Sequence, residues 1–299
     1  MISINDYLDE VLADFIAYLD GSHELCDLKS VNFDQGRVPN YEDIHVQQYY
    51  LLRYAYAYAF EYKRMYETLF ERYTPRSSID VTSIGCGTMI DYWSLVRVLK
   101  QGAHPNVAVN YTGIDQIDWN YQIPGRKKDT VIFSHNNVID ELSQYDVLES
   151  DVYFFPKSIS EFSDDDYKKL CKTFRKTPIV EDQLHILISV RSDQGSMNRD
   201  LQRAEQLRSA IIKNGFTTDD HCHGFWAADD EDEKIRAADS DFAHPADIID
   251  TLKELNVRCA YYQENHSNCS IDCVKRLNRW PILNQKQIRY LILTFERAL

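Results

Sequence analysis

The chain has no run of about 18 consecutive apolar residues, so no segment is long enough to span a bilayer as a helix. The opening MISINDYLDEVLADF alternates acids with apolar residues and has no basic stretch ahead of an apolar core, so no secretion signal is expected there. Glycine (10) and proline (8) are scarce in 299 residues, which excludes a collagen-like chain. A 44% hydrophobic share beside 27% charged residues excludes broad disorder. Neither internal repeats nor low-complexity blocks interrupt it. Basic residues are in deficit, 33 against 47 acids, for a net charge of −14. That balance argues against a protein whose main task is to grip a phosphate backbone, although it leaves room for a local basic patch. The seven cysteines, at 26, 86, 171, 222, 259, 269 and 273, are odd in number and read as reduced thiols of a cytoplasmic protein.

What the sequence does contain falls into two parts. Residues 1–75 read as a helical cap or lid. Leu8, Val11, Leu12, Phe15, Ile16 and Leu19 recur at helical spacing, and Gly21 closes that segment. Tyr41 to Tyr73 contains no glycine or proline and nine of the chain's 20 tyrosines, which predicts one long helix. Its phenols suit either a wide packing face or the border of a ligand pocket, since tyrosine joins a flat apolar body to a hydrogen-bonding tip. Residues 76–299 form the second part. Apolar runs at 79–84, 107–115, 130–134, 151–155, 184–191, 216–225 and 288–296 predict strands. Helical spacings at 91–100, 163–176 and 198–213 separate them, which predicts a mostly parallel α/β sheet with helices on both faces. The stretch at about 227–287 breaks the rhythm with the acidic run Asp229 to Glu233 and a helical pattern at 246–255, and reads as an insertion.

The segment Val81-Thr-Ser-Ile-Gly85-Cys-Gly87-Thr-Met-Ile-Asp91 reads as strand, Gly-x-Gly turn and helix. Glycines there let backbone approach a ligand, and the helix start offers N–H groups and a positive dipole end. A dinucleotide fingerprint wants a third glycine where Ile90 stands, and no Walker-type cradle occurs anywhere. The next strand ends at Asp115, an acid placed to accept both hydroxyls of a ribose. The third runs into Ser134-His-Asn-Asn137, whose amides suit an adenine edge.

These residues resemble the class I S-adenosylmethionine-dependent methyltransferases, whose sheet is Rossmann-like. IGCGT is similar to that family's glycine-rich first motif and GIDQI to its second, and the resemblance covers about residues 79–225 and the final strand. It implies S-adenosyl-L-methionine as cofactor and a methyltransferase with an unidentified acceptor; a small molecule or protein is favoured over nucleic acid by the acidic charge balance, and no membrane partner is expected without a long apolar run. By the family pattern Gly85, Cys86 and Gly87 line the methionine and ribose part, Asp115 holds the ribose hydroxyls, and Gln116 and Ile117 lie beside the adenine. Asn136 stands where an adenine-reading acid is usual, and Phe155, Pro156 and Lys157 border the transferred methyl. The chain departs from the pattern in three places. Ser83 stands where an acid precedes the first glycine, Met89 replaces the third glycine, and 30 residues separate Gly85 from Asp115. Asp91 offers a nearby carboxylate in compensation. The departures support an alternative, a catalytically silent methyltransferase-like binding or regulatory module.

A general base is needed only if the acceptor must lose a proton, and His135, Lys157 and Asp193 are the candidates at strand ends, with Glu161 near the same rim. The fourth strand lacks the Asn/Asp-Pro-Pro-Tyr/Phe sequence of amino-methylating DNA enzymes. Lys275, Arg276 and Arg279 beside Trp280, with Lys286 and Arg289, form a basic cluster that reads as a solvated face or as a contact for an anionic substrate. Cys259, His266, Cys269 and Cys273 would suffice for a tetrahedral zinc site, but without paired Cys-x-x-Cys spacing free thiols are the simpler reading. His221 and His223, beside Asp219 and Asp220, form a weaker metal candidate.

Overall fold

The β-branched and apolar runs pair into one twisted sheet in the structure, a computed structural model that describes residues 3–20, 40–102, 104–191, 194–222, 226–227 and 289–298. In chain order the elements are α1 (Ile4–Asp20), α2 (Ile44–Phe70), β1 (Ser78–Ile84), α3 (Ile90–Gln101), β2 (Ala108–Asp115), β3 (Thr130–His135) and α4 (Val138–Ser143). They continue with β4 (Val152–Phe155), α5 (Asp164–Lys176), β5 (Gln183–Ser189), α6 (Gln194–Ile212), β6 (Phe216–Thr217), β7 (Trp226–Ala227) and β8 (Arg289–Arg297). Gly21, Asp193, His223, the cysteine–histidine group from Cys259 to Cys273, the acidic run from Asp229, the 246–255 pattern and the basic cluster up to Lys286 lie outside the described residues.

The sheet order is β3-β2-β1-β4-β5-β8-β6, with β7 also paired to β8. β1 to β5 run parallel, and β8 is antiparallel to β5, β6 and β7. After β1 the chain builds outward through β2 and β3, then returns to β4 on the other side. The order reverses between β1 and β4, and in open α/β sheets the crevice that takes ligands lies beyond the carboxyl ends of the strands at such a point.

Alternation along β4 sends consecutive side chains to opposite faces. Phe154 meets Tyr62 and Tyr66 of α2 at ring separations of 5.1 and 5.5 Å, whereas Tyr153 meets Phe174 of α5 at 5.0 Å. Helices therefore cover both faces, as expected. The α5 and α6 side shares one apolar cluster with Ile84, Ile114, Phe155, Ile186 and Leu293. Each such side chain removed from water contributes about 1.5–3 kcal/mol.

Helix ends follow their local chemistry. Ser163 caps α5 by accepting from Asp166 N–H, with Asp164, Asp165 and Asp166 in the first turn and Arg175 and Lys176 in the last, each sign complementing the dipole. Asn137 caps α4 through Ile139 N–H. The expected strand at 216–225 is shorter: β6 holds two residues. Thr217 is followed by the polar Thr218-Asp-Asp, and the Asp220 carboxylate itself accepts from Thr294 N–H of β8 at 2.8 Å, taking the place of a strand carbonyl.

Of the described residues, those up to Tyr58 with Trp119–Tyr121 form one compact unit, and the remainder, from Ala59 onward, form the other. In the first unit Leu8, Val11, Leu12 and Phe15 are buried at helical spacing. The Trp119–Tyr121 segment is pinned there by Gln47, which accepts from Asn120 N–H at 3.0 Å, and by Gln48, which donates to the Tyr121 hydroxyl at 2.7 Å. The tyrosine-rich segment is helical, as predicted, and Tyr49, Tyr54, Tyr56, Tyr62 and Tyr66 are buried.

Candidate functional site

The turn after β1 is built from backbone that bends left-handed three times within five residues: Gly85 at φ +71°, Gly87 at +55° and Met89 at +63°. Glycine adopts this region freely, and it also clears space, because a Cβ at Gly85 would lie 2.6 Å from the Ser158 Cβ. Ser158 Oγ donates to the Ile84 carbonyl, so the loop after β4 is locked onto the end of β1. Met89 keeps the left-handed bend at the position where the family pattern places a glycine, at a steric cost of about 1–2 kcal/mol. Its side chain is buried in return.

Gly85 N–H donates to the Ile114 carbonyl at 2.8 Å, which seats the turn against the end of β2. One residue on, the Asp115 carboxylate faces the turn. Oδ2 accepts from Gly87 N–H and Oδ1 from Ile117 N–H, each at 2.9 Å. The structure thus brings Gly85, Gly87, Asp115 and Ile117 together at the carboxyl ends of β1 and β2. Gln116 is exposed beside them, and its carbonyl stands 3.1 Å from His135 Nε2 at the end of β3. Thr88, which no sequence motif singles out, adds a buried hydroxyl oxygen with no partner among the described residues in the same turn.

Three expected roles need correction. Cys86 is buried, and its sulfur packs so close to Gly113 that a Cβ there would lie 2.7 Å away; it offers the crevice only its backbone. Burial pushes its thiol well above the ordinary range, with Asp115 and Asp91 adding to the shift. Asp91 does not replace the missing rim acid. It is fully buried in the first turn of α3, where the Tyr111 hydroxyl donates to its carboxylate at 2.9 Å. Desolvation raises the Asp91 carboxyl to about 6 against the hydroxyls of Ser83 and Tyr111. Phe155 points into the cluster beneath the sheet, leaving the half-buried Pro156 and Lys157 at the strand end. Asn136, half-buried past β3, donates to Glu141 Oε2 at 2.9 Å and accepts from Asn137 N–H at 2.8 Å.

Lys157 takes a left-handed backbone (φ +61°) and turns its ammonium inward, donating to Glu61 Oε1 at 2.8 Å and to the Val190 carbonyl at 2.7 Å. Ser189 also donates to Glu61, at 2.6 Å. Burial raises the Glu61 carboxyl, and Lys157 and Ser189 hold it down. Glu61 was legible in principle: it shares a helix face with the buried Met65 and Thr68, where a carboxylate must have a partner.

Past β5, Arg191 N–H donates to the buried Asp200 at 2.8 Å, and its guanidinium donates to Glu161 at 2.5 Å. Desolvation pushes the Glu161 carboxyl up to about 7, Arg191 pulls it down, and Asp115 and Asp200 push it further up. Solvent reaching 45% of that side chain tempers the shift. Arg191 thus ties Glu161 to the buried Asp200 past the end of β5. Among the described residues no group of three or more His, Cys, Asp and Glu is placed to hold a metal ion, and no helix is long and apolar enough to cross a membrane.

No protein-family model matches this chain, and no curated protein matches it. Solved structures similar to it include the [4+2]-cyclase SpnF, with TM-score 0.39 and 16% identity over 79% of this chain and 82% of that one. The plantazolicin methyltransferase BpumL in complex with SAH gives 0.38 and 12% over 97% and 100%. The mycolic acid cyclopropane synthase CmaA1 complexed with SAH and CTAB gives 0.40 and 9% over 78% and 83%.

Proposed function

We propose that this protein is an S-adenosylmethionine-dependent methyltransferase acting on a small-molecule or protein acceptor. One observation carries the reading: the glycine turn after β1 and the carboxylate at the end of β2 share a hydrogen bond, Gly87 N–H to Asp115 Oδ2 at 2.9 Å. The donor set suits such a cofactor. Asp115 stands at the end of β2 with its carboxylate turned to the glycine turn, where a ribose acceptor is wanted, and Thr88 has a buried hydroxyl oxygen with no partner among the described residues.

When bound, the cofactor supplies an electrophilic methyl on a sulfonium sulfur. The chain's own part is orientation and exclusion of water. Asp115 and the Gly85–Gly87 backbone would hold the adenosyl end. The Ser158 bond to Ile84 and the Lys157 bond to Val190 keep the ends of β1, β4 and β5 in register beside it. Lys157 is committed to Glu61, so it serves as a positioning residue in this reading and not as a base. That commitment favours the second reading, a silent binding module, if no acceptor is found. The free thiols Cys86, Cys171 and Cys222 support a cytoplasmic setting.

Calorimetric titration with S-adenosylmethionine and with its demethylated product tests the reading, with Asp115→Ala and Gly85→Arg as site variants. Binding that both variants weaken supports it. No binding to the parent chain, or equal binding to all three, overturns it. Binding without transfer across an acceptor screen selects the silent module.

A further inference from the structure

On the side of the sheet away from Phe154, α5 and α6 lie next to one another and enclose a groove of about 690 Å³. Six cations and a single carboxylate, Asp164, line it, in a chain whose net charge is −14. The pattern follows from helix geometry. Tyr167, Leu170 and Phe174 turn the apolar face of α5 inward, which leaves Lys168, Lys172 and Arg175 at i, i+4 and i+7 along the groove. On α6, Arg199, Gln206 and Lys213 repeat at seven-residue intervals on the facing stripe.

The cations are not equivalent. Arg203 is 4% exposed and structural: its guanidinium donates to the Ile159 and Phe162 carbonyls and to Asp164, and lies 4.8 Å from the Tyr167 ring centre. Arg199 shares Asp164, and Lys168 reaches Asp165 at 3.0 Å. Lys172, Arg175 and Lys213 are exposed, and no described carboxylate pairs with them. They are also held at one end of the groove. Asn214, just past α6, donates to the Phe174 and Thr177 carbonyls at 2.8 Å each, so the carboxyl ends of α5 and α6 are clamped together.

We infer that this groove is a docking site for a carboxylate-rich peptide segment of a partner protein. Like-signed side chains repel one another, and three of them lining one groove whose helix ends are bonded through Asn214 favour an anionic occupant over water alone. Gln202, Gln206 and Ser209 add neutral donors and acceptors of the kind a peptide backbone uses. A single-stranded nucleic acid is disfavoured because the one aromatic in the lining, Tyr167, is buried beneath Arg203 and offers no stacking platform. A duplex would bring a dense phosphate array against a chain of net negative charge. The groove needs nothing from the crevice at β1 and β2, so the inference stands apart from the methyltransferase reading.

Fluorescence anisotropy on the full chain tests it, with labelled oligo-glutamate and labelled oligo-thymidylate of equal charge as probes. Oligo-glutamate is expected to bind saturably and to weaken as salt rises. Joint Lys172→Glu, Arg175→Glu and Lys213→Glu substitution should weaken it about tenfold or more, while S-adenosylmethionine titration is unchanged. Should charge reversal perturb the fold, Lys172→Gln, Arg175→Gln and Lys213→Gln together replace it, with a loss of about fivefold expected. No binding of oligo-glutamate, equal binding to parent and folded variant, or tighter binding of oligo-thymidylate would each overturn the inference.

Discussion

Gly87 and Asp115, 28 residues apart, are joined by a 2.9 Å hydrogen bond from the backbone N–H of the first to the carboxylate of the second. Ile117 N–H occupies the other carboxylate oxygen. One side chain therefore organises two loops: it neutralises N–H groups at both strand ends and fixes their separation. A charge-assisted bond of this kind is worth about 1.5–3 kcal/mol, so Asp115 matters to the shape of the crevice as well as to any ligand in it.

Asp115→Ala should lower S-adenosylmethionine affinity by about tenfold to a hundredfold, the equivalent of one such bond. Asp115→Asn keeps an acceptor for one N–H and should fall between. Calorimetry reads both. Full affinity in the alanine variant would remove Asp115 from the site.

Gly85→Ala meets two obstacles, a backbone at φ +71° and a Ser158 Cβ 2.6 Å from the new methyl. The expected loss is about 1–3 kcal/mol, seen as a lower urea midpoint at unchanged slope. Adding Ser158→Gly removes the clash and should recover part of that loss, leaving the left-handed strain.

Lys157→Met leaves Glu61, 2% exposed, with Ser189 as its remaining named donor. Breaking one partner out of a buried pair costs about 3–5 kcal/mol. Glu61→Gln combined with Lys157→Met should be more stable than Lys157→Met alone, since no charge is then stranded. Denaturant unfolding of the four chains completes the cycle.

Asp91 sets a pH signature. Its folded carboxyl titrates near 6, above its ordinary range, so between about pH 4 and pH 6 the folded chain holds a proton that the unfolded chain has lost. Stability contributed by this site is present in acid and is lost as pH rises through that window, by up to about 3 kcal/mol. Asp91→Asn should flatten this part of the stability-versus-pH curve and leave the Tyr111 hydroxyl an acceptor. Parallel curves for parent and variant would show that the burial does not shift this group.

Much of this architecture was readable in one dimension. The runs at 79–84, 107–115, 130–134 and 151–155 are rich in apolar and β-branched residues because the inner strands β1 and β4 are buried on both faces, while β3 at the edge keeps exposed positions. The absence of breakers from 41 to 73 made α2 legible despite its strand-like Tyr-Ala alternation. The Gly-x-Gly turn and Asp115 were legible because backbone at positive φ and an acid at a strand end leave local marks. Cys86 and Phe155 lie at or just past a strand end, where a step of one position switches a side chain from crevice to core, and Asp91 falls on the buried face of the first turn of α3, so for these three local pattern does not tell rim from core.

Composition and periodicity by themselves determined a layered α/β chain with a glycine turn, an acid on the neighbouring strand and a helical amino-terminal segment. Such features are local, set by the alternation of side chains and the conformational freedom of glycine. Only the tertiary structure decided that Glu61 of α2 faces Lys157, that Asp91 in the first turn of α3 is sealed from solvent, and that the cations of α5 and α6 line one groove. Charge pairing and burial depend on which elements pack together, and the residues concerned stand up to 96 positions apart, beyond the reach of any sequence period.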